Sequence, residues 1–490
     1  MKTTYSIPSG VCRAHDKAPV LIAASLVAIA LLALPANAAV ISINNPSFEN
    51  PVLGDGGWTT NNVPQWALWN NNLGVSNPPE TNYSGAAGAG TPLGADGTNV
   101  LAVWNNGFAY AYQTTPETIT ANKVYTLTAA VGRRFSLAPH DKAQLYLWRG
   151  GAGGGGGGGA KVGGVDVDPT MISPGQFADF SGSYTALAGD GHVGHPLQVL
   201  IGAANITSKA RYTDFDNVRL TVQDRPAIAL NSLSPSVIAG AASADMVALT
   251  NSGADPANLF YSVSNDLDSS VAAGTLAGNV MNESVNIAIS PSAITVGLHN
   301  VTFTATGTDR NNVAAFNNGA WLTSTLTVLD HSSAAFKNAS EAAVAAFGPN
   351  SLTLDFGTVA EGAGGGYLSA FFDIFNEVTT PGFTAGLDLD EFIAVSGDTG
   401  TFSKHAGLDT FSNLAAGSGE GYEFRFDTTA LGTFSATYQF RLSDQDLPGA
   451  SDPSSQFRTL TLQGTVVPEP SAALLLLVAL GCGLLVRRRR

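Results

Sequence analysis

Five of the six tryptophans fall in the first third of the chain, at Trp58, Trp66, Trp69, Trp104 and Trp148. Amides crowd around several of them: Asn61, Asn62, Asn70, Asn71, Asn72, Asn105 and Asn106. A sugar platform needs a flat ring face for the C–H groups of a pyranose and amides within reach of its hydroxyls. Trp66 and Trp69, in Gln65-Trp-Ala-Leu-Trp-Asn70, supply that combination, as do Trp104-Asn-Asn106 and the pair Tyr110/Tyr112. Rings in β-rich chains also build cores, and for each of these the core reading stands beside the sugar reading. Tyr146 and Trp148 alternate with Leu145 and Leu147, so one of the two pairs is buried.

Arrangements for catalysis are missing. The segment between the two chain ends holds no G-x-S-x-G elbow, no H-E-x-x-H pair and no EF-hand loop. Acidic groups gather at Asp388/Asp390/Glu391 and Asp444/Asp446. A glycosidase needs two carboxyls roughly 5–9 Å apart across a cleft, whereas these acids fall in segments that read as turns, which favours solvated loops or weak calcium sites. His192 and His195 lie in a glycine-rich turn without a third ligand and read as a solvated loop. Gly150–Gly164 contains seven consecutive glycines but neither a Lys-Ser/Thr pair nor a following helix. It is a hairpin tip or insertion, not a phosphate-binding loop. The chain therefore reads as non-catalytic, with a polysaccharide hydrolase as a remote alternative.

Short alternating runs position these residues. Val100–Trp104, Tyr110–Gln113, Val124–Val131, Ala143–Trp148 and Gln198–Ile201 predict strands of a first domain over 40–223. A second set, Met246–Thr250, Leu259–Val263, Val285–Ile289, Asn300–Ala305 and Trp321–Leu329, predicts a sandwich over 227–331. Ser332–Gly348 is alanine-rich and reads as a short helix or an interdomain stretch. A third sandwich over 351–467 carries runs at Tyr367–Asn376, Tyr422–Phe426, Thr433–Leu442 and Thr459–Val466. The fold class is all-β: a jelly-roll sandwich followed by two immunoglobulin-like sandwiches.

The first domain opens on Asn45-Pro-Ser-Phe-Glu49 and closes on Phe215-Asp-Asn-Val-Arg-Leu220. These motifs resemble the first and last strands of galactose-binding-like jelly rolls, the fold of many carbohydrate-binding modules. The resemblance implies neighbouring terminal strands and a structural calcium beside them. Carried over by position, Glu49 and Asp216 are its candidate ligands, with Asp214 as a third; calcium takes six to eight oxygens, which carboxylates and backbone carbonyls provide. It also implies a sugar site, for which Trp66, Trp69, Trp104 and Tyr110 are the candidates. The second domain resembles bacterial immunoglobulin-like surface modules, and the third resembles the choice-of-anchor modules that often precede sorting signals.

The chain ends fix an address. Lys2, Arg13 and Lys17 precede an apolar core at Val20–Leu34, and Ala36-Asn37-Ala38 offers an A-x-A cleavage site, so 1–38 reads as a signal peptide cut by signal peptidase. At the other end, 468–490 places Pro468-Glu469-Pro470 before an apolar run at Ala472–Val486 and the cluster Arg487, Arg488, Arg489 and Arg490. The run is shorter than the roughly 20 residues of an upright membrane helix. The three parts in this order resemble the PEP-CTERM sorting signal of Gram-negative bacteria that make extracellular polysaccharide. The resemblance implies transient inner-membrane anchoring and removal by an exosortase.

Trimming 1–38 and the tail beyond Pro468-Glu469-Pro470 lowers the positive residues from 23 to 16 and the negative ones from 38 to 37, a net charge of about −21. Such a charge argues against nucleic acid as a partner. Both cysteines, Cys12 and Cys482, leave with the ends, which excludes thiol chemistry from the remainder. The expected product is an exported surface or matrix protein that binds extracellular polysaccharide or acts as a purely structural element.

Overall fold

The computed structural model describes residues 38–469, apart from 86–90, 106, 152–158, 205–210, 269, 279, 340–343, 406–408 and 451–455. The described residues form strands and turns, with three single 3-10 turns as the helical elements among them. None of their helices is long and apolar enough to cross a membrane. Ala36, Pro470, Arg487–Arg490 and the apolar runs at both ends lie outside the described residues. There are two compact units: one holds residues up to Pro226 with Asn251–Asn258 and Ala277–Glu283, the other Ala227–Thr250, Leu259–Leu276 and residues from Ser284 on.

The first domain has eleven strands: β1 (Ala39–Ile41), β2 (Ala67–Trp69), β3 (Leu73–Ser76), β4 (Val100–Asn105), β5 (Phe108–Thr118), β6 (Lys123–Arg133), β7 (Lys142–Arg149), β8 (Ala160–Val167), β9 (Gln176–Ala186), β10 (Pro196–Ala204) and β11 (Arg211–Asp224). One sheet runs β3-β4-β11-β6-β9 with β1 paired to β11, and the other β2-β5-β10-β7-β8. The chain crosses repeatedly between the sheets, which makes a jelly roll. Terminal strands β1 and β11 pair antiparallel, Ala39 opposite Val222.

Strand period decides which side chains the sandwich hides. Leu145 and Leu147 of β7, Val199 and Ile201 of β10, and Ala109 and Ala111 of β5 point inward to meet Leu127 and Val131 of β6 and Phe215 of β11. The opposite parity, Tyr110, Tyr112, Gln144, Tyr146 and Trp148, is thereby set on the outer face of the five-stranded sheet.

The second sandwich comprises β12 (Ala227–Ser232), β13 (Ser236–Ile238), β14 (Ala244–Ser252), β15 (Leu259–Asn265), β16 (Val271–Leu276), β17 (Glu283–Ile289), β18 (Gly297–Thr308) and β19 (Ala320–Leu329). Its sheets are β12-β14-β17 and β13-β19-β18-β15-β16. The third comprises β20 (Ala334–Lys337), β21 (Val344–Phe347), β22 (Ser351–Ala360), β23 (Tyr367–Asn376), β24 (Leu387–Gly397), β25 (Phe402–Lys404), β26 (Phe411–Leu414), β27 (Gly419–Asp427), β28 (Gly432–Asp444) and β29 (Gln456–Val467). Its sheets are β20-β23-β27-β25 and β21-β22-β29-β28-β24-β26.

Two expectations are corrected here. The alanine-rich stretch Ser332–Gly348 supplies the edge strands β20 and β21 instead of a helix or spacer. Ala334 and Phe336 alternate inward, and Phe336 packs edge-on against Phe372 and Phe440, a burial that outweighs alanine's helix preference. Asp388, Asp390 and Glu391 lie on β24 and Asp444 ends β28, where turns were expected. Leu387 and Leu389 are buried on β24 and hold the acids on a paired strand.

Candidate functional site

The outer face of β2-β5-β10-β7-β8 carries a row of residues paired across all five strands: Trp69, Tyr110, Gly202, Gln144 and Asp166. Gly202, on the central strand, has no side chain, and a Cβ built there would lie 2.1 Å from the Ala109 carbonyl and 2.6 Å from the Tyr110 ring. The Tyr110 ring crosses that gap and its hydroxyl donates to Gln144 Oε1 at 2.5 Å. Gln144 Nε2 reaches Asp166 Oδ1 at 3.2 Å, and the Tyr146 hydroxyl bonds the same oxygen. Lys142 pairs with Asp166 Oδ2 at 2.9 Å. Burial pushes the Asp166 carboxyl up, but hydrogen bonds from Lys142, Tyr146 and Gln144 outweigh it and bring the pKa down to about 2. The Tyr146 hydroxyl is pushed up by burial and by the Asp166 carboxylate.

At the other end of the row the rings gather. Trp69 lies 5.6 Å from Tyr110, and edge-on to Phe108 at 6.0 Å and to Trp148 at 6.2 Å, centroid to centroid. With Tyr146 and Leu200 these rings line a cleft of about 250 Å³. Leu200 has the outward parity of β10 and is nonetheless buried, because the rings cover it. An apolar ring-lined cleft beside a hydrogen-bonding Gln–Asp pair suits a ligand with C–H faces and hydroxyl rims.

The four candidate platform residues separate. Trp69 and Tyr110 share this cleft. Trp66, only 6% exposed, is in the core against Phe48 at 5.6 Å, and its indole N–H donates to the Asn45 carbonyl. It has no free face for stacking, so its assignment as a platform is corrected. Trp104 lies on the other sheet, edge-on to the 61%-exposed Trp58 at 5.5 Å. These two rings line a cavity of about 270 Å³ together with Tyr212 and Arg134. Phe108, Gln144, Tyr146, Trp148 and Asp166 were not assigned to a site from sequence. The Leu145/Leu147 alternation held the signal for Tyr146 and Trp148.

The motif residues at the domain's two ends come together. Asn45 adopts a left-handed backbone, φ 47°, and its side chain bonds the Asn50 amide, which turns the chain so that Phe48 enters the core and Glu49 leaves it. Val218 N–H donates to the Pro46 carbonyl at 2.9 Å, tying the closing motif to the opening one. The Asp96–Asn99 segment wraps Glu49: the Asn99 amide donates to Oε1 at 2.7 Å and the Thr98 hydroxyl to Oε2 at 3.3 Å. Gly97 allows the approach, since a Cβ there would sit 2.4 Å from Oε1. Asp216 is buried and accepts from the Asp96 and Asn217 amides. Burial, reinforced by the Asp96 and Glu49 carboxylates, pushes its pKa up to about 8. The buried Asn99 Oδ1 has no hydrogen-bond donor. Among the described residues no three His, Cys, Asp or Glu side chains are grouped to hold a metal ion, so any cation here would rest on two carboxylates with amide and backbone oxygens. That donor set is the hard-oxygen chemistry calcium takes. Asp96 and Asn99 were missed from sequence because they lie about fifty positions from Glu49.

Asp214 does not belong to that group. It is fully buried and bonded to Arg134, a residue that lines the Trp58/Trp104 cavity, with Arg134 Nε on Oδ2 at 2.7 Å, Nη2 on Oδ1 at 3.0 Å and the Tyr83 hydroxyl on Oδ2 at 2.6 Å. Its charge is already matched by a bidentate guanidinium, which corrects its assignment as a calcium ligand.

The family model of the HpiC1 cyclases matches residues 39–221, less than half of the chain. That is a different family from the carbohydrate-binding modules that the terminal motifs resemble. Among solved structures, the Stig cyclase Fisc from Fischerella sp. TAU, in complex with (3Z)-3-(1-methyl-2-pyrrolidinylidene)-3H-indole, is 20% identical, covering 38% of this chain and 98% of that one at a TM-score of 0.32. A family 16 carbohydrate-binding module is 15% identical, covering 36% and 96% at a TM-score of 0.22. The module TmCBM61, in complex with β-1,4-galactotriose, is 12% identical, covering 38% and 98% at a TM-score of 0.22. No curated protein matches the chain.

Proposed function

We propose that this chain is an exported, non-catalytic surface or matrix protein whose jelly roll binds extracellular polysaccharide on the outer face of its five-stranded sheet. The observation that carries the reading is the ring-lined cleft of Trp69, Phe108, Tyr110, Tyr146 and Trp148, bordered by Gln144 and Asp166. Sugar rings stack on the indoles while hydroxyls exchange hydrogen bonds with Gln144 and Asp166. Trp69→Ala and Trp148→Ala in the full chain, measured against a polysaccharide panel by affinity electrophoresis, are expected to weaken binding about tenfold or more. Unchanged mobility shifts in both variants would sink the reading in favour of a purely structural role.

Calcium belongs to the same proposal. Glu49 and Asp216 would hold it, with Asp96 and the orphaned Asn99 Oδ1 beside them, and it would neutralise a carboxyl that the fold otherwise strains to ionise. Export rests on the Ala36/Ala38 cleavage site and the three-part sequence of the tail from Pro468 to Arg490, with signal peptidase and an exosortase as the processing partners. Intact mass of the secreted protein tests both cuts at once: a mass that retains either end refutes that part.

A second reading attaches to the Trp58/Trp104 cavity. The HpiC1 cyclase match over residues 39–221 and an aromatic pocket lined by Arg134, the buried partner of Asp214, support small-molecule chemistry there. Turnover of indole-bearing substrates by the purified domain, lost in Trp104→Ala, is its test.

A further inference from the structure

We infer that the cleft on the five-stranded sheet takes an anionic, carboxylate-bearing glycan, with Lys161 as the counter-charge. The inference deepens the carbohydrate reading and rests on it. Asp166 is matched by Lys142 at 2.9 Å and receives hydrogen bonds from Gln144 and Tyr146, so its charge is already satisfied. Lys161, opposite Trp148 on β8, has no carboxylate within ion-pair distance among the described residues. Its ammonium sits instead over the Tyr146 ring, with Nζ 3.5 Å from the centroid.

That position has two effects. The ring quadrupole anchors the ammonium over Tyr146, one of the rings that line the cleft, instead of leaving it to wander in solvent. The same ammonium covers one face of Tyr146, and Lys161 pairs in register with Trp148, so a sugar seated on that indole meets a cation beside it. The local balance is two lysines to one aspartate, positive on a chain whose net charge is −15. A neutral glycan would leave this cation with only the Tyr146 ring and the longer-range field of Asp166, while a uronate carboxylate supplies a direct charge-assisted hydrogen bond. Burial lowers the ammonium's proton affinity, a penalty that an anionic ligand relieves.

The test uses the full exported chain, with polygalacturonate and a neutral β-glucan as probes in affinity electrophoresis at low and high salt. Polygalacturonate is expected to bind more tightly than the glucan, and Lys161→Met to weaken it about tenfold and abolish its salt dependence. Binding of the glucan should be unchanged by the same substitution. Equal affinity for both probes, or polygalacturonate binding indifferent to Lys161→Met, overturns the inference. Failure of Trp69→Ala and Trp148→Ala to weaken either probe instead overturns the carbohydrate reading beneath it.

Discussion

The jelly roll and the third sandwich use aromatic residues in opposite ways. In the third sandwich the rings form two interior groups within one core, Phe372 touching Phe336, Tyr422, Phe424 and Phe440, and Phe426 touching Phe356, Phe402 and Phe434. In the jelly roll the interior of β5, β7 and β10 is built from Ala, Leu, Val and Ile, and the rings Trp69, Tyr110, Tyr146 and Trp148 stand on the outer face. Aromatic residues alternate along strands in both places; the parity of the strand decides whether a ring becomes core or surface. A ring network inside a sandwich stabilises the fold, whereas a ring network outside it needs another explanation, and ligand binding provides one.

Substitutions can break this contrast, and the largest effects should come from the interior. Phe372→Ala in the third sandwich and Trp66→Ala in the jelly roll are each expected to cost about 3–5 kcal/mol in chemical denaturation. A Trp66→Ala protein as stable as the parent would return that ring to the surface. Arg134→Met leaves the buried Asp214 carboxylate without its guanidinium and should cost about 3–5 kcal/mol as well. A loss under ~1 kcal/mol would show that water reaches Asp214. Trp69→Ala and Trp148→Ala should by contrast change stability by about 1 kcal/mol or less while weakening glycan binding, because their rings lose little packing.

The smallest effect is a difference in pH dependence between two aspartates. Asp166 of the jelly roll is held down to about 2, so the stability it contributes is present above the unfolded carboxyl range and lost as pH falls through about 2. Asp388 of the third sandwich is pushed up by burial and by the neighbouring Asp446, Asp390 and Asp444 carboxylates. Stability is therefore greatest there below the unfolded pKa and declines as pH rises through the folded one. Denaturation midpoints taken from pH 2 upward should show Asp166→Asn removing a rise and Asp388→Asn removing a fall. Slopes of the same sign in the two variants would contradict the assignment.

Much of this was legible in the chain, and the misses have physical reasons. Alternation placed the strands at Tyr110–Gln113, Ala143–Trp148 and Tyr367–Asn376 correctly, since period 2 follows from the pleat itself. Alternation gives parity but not hand: Tyr146 and Trp148 had to share a face, yet only the partner sheet shows which face is covered. Trp66 and Trp69 looked equivalent because they flank the same short strand. Trp66 lies just before β2, where the chain still turns inward, and Trp69 ends it. Gly202 carried no sequence signal at all, because its role exists only once β5 and β7 flank β10. Asp214 and Asp216 share a strand and a parity, and only the approach of Arg134 to one and of Asp96 to the other tells them apart.

The pairing of β1 with β11 has a mechanical consequence. While the C-terminal tail still anchors the chain, before the proposed exosortase cut, tension on the jelly roll leaves it along β11, whose end leads on toward that tail. That strand is bonded to β4, β6 and β1, and antiparallel hydrogen bonds lie perpendicular to the strand axis. A pull along the axis loads these bonds in shear, many at once, instead of peeling them off one by one. Strand β1, paired along the same strand, adds its bonds to that shear-loaded set.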